Sequence, residues 1–460
     1  MSLSSVVFLF GFLPCFFLIY YLVPKAWRNA VCLLGSIAFY AWGEPYFIVP
    51  LLLAVAANFA LGLLLRPRKK YRRAIFVLGC VFNIGLLFDF KYAAFFLGTA
   101  GSLFGVSTDF SLSLPLPIGL SFFVFRAVSY LADVYLEKTS AETRFSRFSL
   151  YMCMFPCILQ GPLGRYGEIS PQITDRRICL EDISDGILRF TVGLSKKVLL
   201  SVPLGVIADS AWSTAAPSVL GAWLGLISYA MQLYFDFSGY TDMALGLGRM
   251  MGFRLPENFN YPYLCTSASD FWRRWHMTLS LWFRDYVYFP LGGSRTDKLR
   301  LVRNLLIVWA LTGLWHGANM TFLLWGLYFG VLLCLEKLFR LEKRRIPQLV
   351  RHVVSLLAVL LGWVFFRSES VSEALNFFGR LFCGTLADEA ALLHLHDGLT
   401  VLLIGLLACT PLVKKLCLRL ASRRPSIAAL LKSCAVIVFL FVCTVYLVNS
   451  SYSPFLYLRF

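Results

Sequence analysis

The chain has 460 residues, 58% of them hydrophobic and 15% charged, with a net charge of +18 and a mean hydropathy of +0.71. Soluble globular chains are nearer half apolar and about one quarter charged, so the composition excludes an ordinary soluble enzyme and points to a membrane protein. The positive charge sits in short clusters between apolar runs, as in loops that meet lipid headgroups. No nucleic-acid motif accompanies it, so membrane lipid is the expected partner and nucleic acid is not.

In chain order, MSLSSVVFLFGFLPCFFLIYYLVPK lacks a basic leader and a small-residue cleavage site, and reads as a retained first span rather than a signal peptide. Apolar runs, this first one included, lie near 4–23, 30–42, 46–65, 74–90, 92–106, 115–135, 186–208, 217–237, 301–335 (one or two segments), 350–366, 398–416 and 429–448. Against the roughly 17 to 25 residues that a crossing helix needs, they predict an all-α, polytopic fold of about a dozen transmembrane or re-entrant helices. No soluble-sized insertion interrupts them, so a single integral domain is expected over 1–460, with its core motifs in about 115–335.

Basic clusters at RPRKKYRR (66–73), Lys337 to Arg345 and Lys414 to Arg424 set the orientation. With the N-terminus outside, the first and third spans both exit beside basic loops, which the positive-inside rule places in the cytoplasm.

Two stretches break the pattern. Pro156, Gly161, Pro162 and Gly164 interrupt the apolar run from 148 to 180, and 236–294 carries Asp236, Asp242, Arg249, Asp270, Arg273, Arg274, Arg284 and Asp285 among aromatic residues. Backbone of this kind survives at membrane depth only when buried in protein or facing a wet cavity, so 236–294 is expected to be a re-entrant or interfacial layer. No internal repeat is visible, which weighs against an inverted-repeat transporter. The 13 cysteines are scattered. Cys153 and Cys157, in CMFPC, lack metal or redox spacing and read as buried free thiols.

Only five histidines occur, and two of them follow tryptophans within apolar sequence. A histidine at membrane depth is a functional candidate by default. His316, in LTGLWHGANM, lies between Gly313 and Gly317, which would let a substrate or helix approach closely. A neutral imidazole there can take the proton of a hydroxyl attacking a thioester; the plainer reading is a helix-packing histidine. Trp315 and Asn319 are grouped with it as substrate contacts.

His276 lies in FWRRWHMTLSLWFRD. If that segment is one helix, Arg273, His276 and Ser280 share a face, and Trp272 and Trp275 sit as interfacial anchors. His276 then orients substrate or assists proton transfer; an interfacial histidine in a basic amphipathic helix is the bland alternative. Arg273, Arg274 and Arg284 suit donor phosphates, although Arg284 with Asp285 is equally readable as a structural ion pair, and Trp272, Arg273, Trp275, Ser280, Arg284 and Asp285 are the substrate contacts expected from this segment. Asp236 and Asp242 are expected to serve as scaffold, paired with the arginines downstream. His352 lacks context, and His394 and His396 read as a solvated loop. No metal-site pattern is present.

FDFSGYTDMALGLGRMMGFRLPENFNYPY, SASDFWRRWHMTLSLWFRDYVYFPLGGSR and LTGLWHGANMTFLLWGLYFG together resemble the membrane-bound O-acyltransferase (MBOAT) family, in its bacterial branch typified by alginate O-acetyltransferase. PLPIGLSFFVFRAVSYLADVY, QGPLGRYGEI and the closing NSSYSPFLYLRF extend the resemblance over most of the chain. It implies helices around a central funnel, and acyl transfer from a cytoplasmic thioester (acetyl-CoA or a carrier protein) across the inner membrane to an exported or cell-surface polysaccharide. No bound cofactor is implied. His316 matches the family's near-invariant histidine and His276 the second histidine of this branch. A separate extracytoplasmic SGNH-type partner protein is implied as well. D-alanyl transfer to teichoic acid stays open as an alternative, although FPLGGSR looks closer to the alginate side, as does a transporter with a histidine-lined path.

Overall fold

A computed structural model describes residues 2–66, 70–97, 116–214, 216–449 and 455–456. Residues 98–106 of one expected span, residue 115 of another, residues 67–69 of the first basic cluster and most of the closing motif lie outside the described residues. Among the described residues the chain is helical, with no strand. The helices are α1 (Phe8–Leu22), α2 (Arg28–Gly43), α3 (Ile48–Leu64), α4 (Arg72–Leu97), α5 (Leu120–Tyr135), α6 (Phe145–Cys153), α7 (Tyr166–Thr174), α8 (Leu180–Ser213) and α9 (Val219–Met250). There follow α10 (Ala268–Trp272), α11 (Met277–Phe283), α12 (Lys298–His316), α13 (Met320–Leu338), α14 (Gln348–Arg367), α15 (Val371–Arg380), α16 (Glu389–Ala408), α17 (Leu412–Arg423) and α18 (Pro425–Asn449). Of these, α4, α8, α13, α14, α16 and α18 are long and apolar enough to cross a membrane, and α1 and α3 are shorter apolar helices. The expected all-α membrane fold is what forms.

The chain divides into two compact units, one built on Met1–Phe190 with Thr241–Pro256, the other on Thr191–Tyr240 with Glu257–Leu456. In the first, α5 is buried along almost its whole length. Asn58 on α3 and Asn83 on α4 exchange reciprocal amide bonds of 3.1 and 2.7 Å, satisfying polar groups that apolar surroundings would otherwise leave stranded. Between α6 and α7 only a single turn, Phe155–Ile158, is helical, where the prolines and glycines predict a broken run.

The second unit is organised by the α12–α13 hairpin. A Cβ at Gly313 would collide with the Phe322 carbonyl oxygen, and one at Gly326 with the Trp309 carbonyl oxygen. The two helices therefore touch backbone to backbone, as small residues allow inside membranes. The apolar run 301–335 is thus two helices, broken at Gly317–Asn319.

Three expectations are corrected. Helix α9 runs unbroken to Met250, so Asp236 and Asp242 belong to a long helix and not to a break in the chain. Their partners lie upstream: Lys197 meets Asp236 at 2.5 Å and Arg189 meets Asp242 at 3.0 Å. Neutralised in this way, the carboxylates do not interrupt the helix. His394 and His396 sit within α16, not in a loop. His394 Nε2 lies 2.7 Å from Ser210 Oγ, while His396 pairs with its neighbour Asp397.

Candidate functional site

The site is assembled from the second unit, around the segment Ala268–Phe283. Helix α10 starts where Ser267 Oγ accepts the Asp270 N–H at 2.9 Å. Glu336 of α13 accepts the Ala268 and Ser269 N–H groups at 2.5 and 3.0 Å, a carboxylate against a helix N-terminus. The helix ends after Trp272, and His276 takes a left-handed conformation (φ 44°, ψ 52°) before α11 begins. One continuous helix is therefore ruled out, and Arg273, His276 and Ser280 do not share a face. Ser280 is half-buried, with its N–H on the His276 carbonyl at 3.1 Å.

A preceding loop holds this break in place. The Met277 N–H donates to the Asn258 carbonyl at 3.0 Å and the Asn260 N–H to the Arg274 carbonyl at 2.9 Å. Asn258 Oδ1 accepts the Thr278 N–H at 3.1 Å and the Thr278 hydroxyl at 2.9 Å, and lies 3.2 Å from His276 Nδ1. His276 is fully buried, edge-on to Phe237 at 4.7 Å and to Trp315 at 6.0 Å. Burial pushes its imidazole down to about 3, so the ring is neutral at physiological pH.

His316 is the last residue of α12 and is 1% exposed. Its ring packs against Trp315 at 4.8 Å, Trp325 at 4.8 Å and Phe366 at 5.2 Å. A Cβ on Gly317 would strike the Phe322 ring, so the flanking glycines admit a neighbouring helix. Trp315 thus touches both histidines, and residues 40 positions apart in sequence meet around one indole.

The other expected site residues divide clearly. Trp272 and Trp275 are buried and not interfacial. Trp272 packs on Trp309 at 4.6 Å, and Trp275 on Trp363 and Phe259, each at 5.1 Å. Arg273 is exposed and 3.5 Å from Glu342, and Arg274 pairs with Asp270 at 2.9 Å. Arg284 grips Asp285 with two bonds, 2.7 and 3.2 Å, which is the ion-pair reading. Asn319 caps α13 by accepting the Thr321 N–H at 3.2 Å and donates to the Glu369 carbonyl at 2.8 Å, so both ends of its amide are engaged in structure. Sequence reasoning passed over Asn258, Trp325, Trp363 and Phe366. None carries a local signal, because each matters only through what the fold brings to it.

Residues 117–366 match the family model described as MBOAT, membrane-bound O-acyltransferase family. The chain is 40% identical over 389 residues to the probable alginate O-acetylase AlgI of Pseudomonas syringae pv. tomato, covering 83% of this chain and 75% of that one. It is 33% identical to the peptidoglycan O-acetyltransferase of Helicobacter pylori, covering 81% and 78%. A third relative, the teichoic acid D-alanyltransferase of Bacillus subtilis, is 30% identical over 48% of this chain and 59% of its own.

Proposed function

The chain belongs to the membrane-bound O-acyltransferase family, and from that premise we propose that it moves an acetyl group from a cytoplasmic thioester to hydroxyls of an exported or cell-surface polysaccharide. It is a multi-pass membrane O-acyltransferase, which sets the transporter alternative aside. The observation that carries the finer reading is the meeting of His276 and His316 around Trp315, two buried imidazoles packed on one indole. The acceptor hydroxyl attacks the thioester carbonyl, His316 takes the hydroxyl proton, and the thiolate leaves. His276, neutral and fixed, assists the transfer. The donor is acetyl-CoA or an acetylated carrier, with no resident cofactor.

Charge supports the outward direction. Arg295, Lys298, Arg300 and Arg303 crowd the start of α12, and Lys337, Arg340, Lys343, Arg344 and Arg345 the end of α13. For α13, which is long and apolar enough to cross, the positive-inside rule favours the cytoplasm of the inner membrane for its basic end and the opposite side for the Trp315–Asn319 turn at its start. The acyl group then leaves on the outward side, where a separate extracytoplasmic partner of SGNH type helps to pass it to the polysaccharide. Acetyl transfer is preferred to D-alanyl transfer because the acetylase relatives match over 83% and 81% of the chain and the D-alanyltransferase over 48%.

The test is thioester consumption by purified protein in nanodiscs, with acetyl-CoA or acetylated carrier as donor and partner and glycan present. His316→Ala is expected to fall by about 10²- to 10⁴-fold, the contribution of a positioned general base. Equal turnover by variant and wild type would remove His316 from the mechanism.

A further inference from the structure

The backbone of His276 stands in the left-handed region, as does that of Tyr261 in the loop before it, a conformation that a side chain enters only when its surroundings impose it. Asn258 holds His276 and the two residues that follow it. Its main-chain carbonyl takes the first N–H of α11, from Met277, at 3.0 Å. Its Oδ1 gathers three further groups, the Thr278 N–H, the Thr278 hydroxyl and His276 Nδ1. A backbone N–H can only donate, so the atom facing Thr278 is the amide oxygen and not the nitrogen. That oxygen can only accept. The His276 nitrogen facing it at 3.2 Å must therefore carry the ring proton, which leaves Nε2 as the basic nitrogen.

We infer that Asn258 is a positioning residue for acyl transfer: through Oδ1 it fixes His276 as the Nδ1–H tautomer and aims Nε2 as the group that exchanges protons with the substrate. The inference rests on the reading above that His276 takes part in transfer. A neutral amide suits the task. It orients the ring as a carboxylate would, but adds no charge that would hold the imidazole protonated. Among the described residues, Phe237, Trp315 and Thr278 also face the ring, and none of the three titrates in the working range.

Asn258→Asp is a clean probe because Asn258 Nδ2 is buried with no partner among the described residues. Exchanging that nitrogen for oxygen breaks no bond seen here, and the remaining oxygen keeps all three. Transfer is measured against pH for wild type, Asn258→Ala, Asn258→Asp and His276→Ala, each normalised to folded protein. Asn258→Ala is expected to lose about 10- to 100-fold in kcat, the size seen when the partner orienting a metal-bound histidine is removed. Asn258→Asp is expected to recover wild-type turnover at alkaline pH, with its acid limb moved up by about one to three pH units as the carboxylate favours the imidazolium. Nitrogen NMR of labelled histidine, with the His276 signal assigned by its loss in His276→Ala, is expected to show the Nδ1–H tautomer in wild type. An Nε2–H tautomer overturns the assignment, as does an Asn258→Ala enzyme with unchanged turnover per folded molecule. So does an Asn258→Asp enzyme with an unshifted profile. If His276→Ala itself turns over normally, the underlying reading of His276 fails instead, and the two failures are told apart.

Discussion

His276 occupies backbone space that glycine fills without strain, and it is buried so that its ring stays neutral. Burial pushes that ring down to about 3, whereas in the unfolded chain it takes up a proton near 6.5. Between those values the unfolded state binds the extra proton, so the stability is fully present above pH 6.5 and is lost as pH falls toward 3. Asparagine tolerates the left-handed backbone and does not titrate. His276→Asn is therefore expected to flatten the acid-side fall in melting temperature, by an amount equivalent to at most about 1.4 kcal/mol for each pH unit below 6.5. Melting curves with the same pH slope in both proteins would show that this ring does not drive the loss. At this scale the sequence was legible where residues are rare: two histidines in apolar sequence announce themselves. It was misleading for Trp272 and Trp275, whose amphipathic rings suit an interfacial belt but which the fold spends in the core. Asn258 was illegible, since an asparagine in a loop reveals nothing until a helix start is laid against it.

Helix positions were read well wherever hydropathy and length decide them, and poorly where a charge has a partner elsewhere. A profile records Asp236 and Asp242 as breaks, but it does not record that Lys197 and Arg189 neutralise them, so α9 continues through a stretch that seemed too polar. Glycine shows the same dependence on neighbours. Gly313 and Gly85 are both helical, yet a Cβ on Gly313 meets the Phe322 carbonyl while one on Gly85 meets nothing within 4 Å. Gly313→Ala is expected to push α12 from α13, costing about 1 to 3 kcal/mol as overpacking does, and to lower transfer because His316 is three residues along the same helix. Gly85→Ala is expected to be neutral or to gain up to about 1 kcal/mol from helix propensity. Thermal unfolding of the two variants checks the pair. Equal effects would mean that the α12–α13 contact is looser than its backbone separation implies.

For the whole chain, the membrane class was legible in its composition and the order of the acyltransferase motifs in its sequence; what ties its end to its middle was not. Phe455 is fully buried, lying 4.7 Å beneath Lys197 Nζ and edge-on to Tyr240 at 5.2 Å. The Leu456 N–H donates to Asp236 Oδ2 at 2.8 Å, joining residues 220 positions apart. Lys197 supplies the opposing charge on Oδ1 of the same carboxylate. A buried ion pair persists only when its remaining lone pairs are satisfied, so the closing residues complete the pair and cover it. Truncation after Val448 strips one bond from the carboxylate and opens the space that Phe455 fills. The truncated protein is expected to melt well below wild type and to be recovered in lower yield. Phe455→Ala leaves the Leu456 bond possible and removes only the ring, for which a loss of about 3 to 5 kcal/mol is expected. If both proteins melt with wild type, Asp236 and Lys197 are stable without the tail, and the closing motif needs a role other than completing this pair.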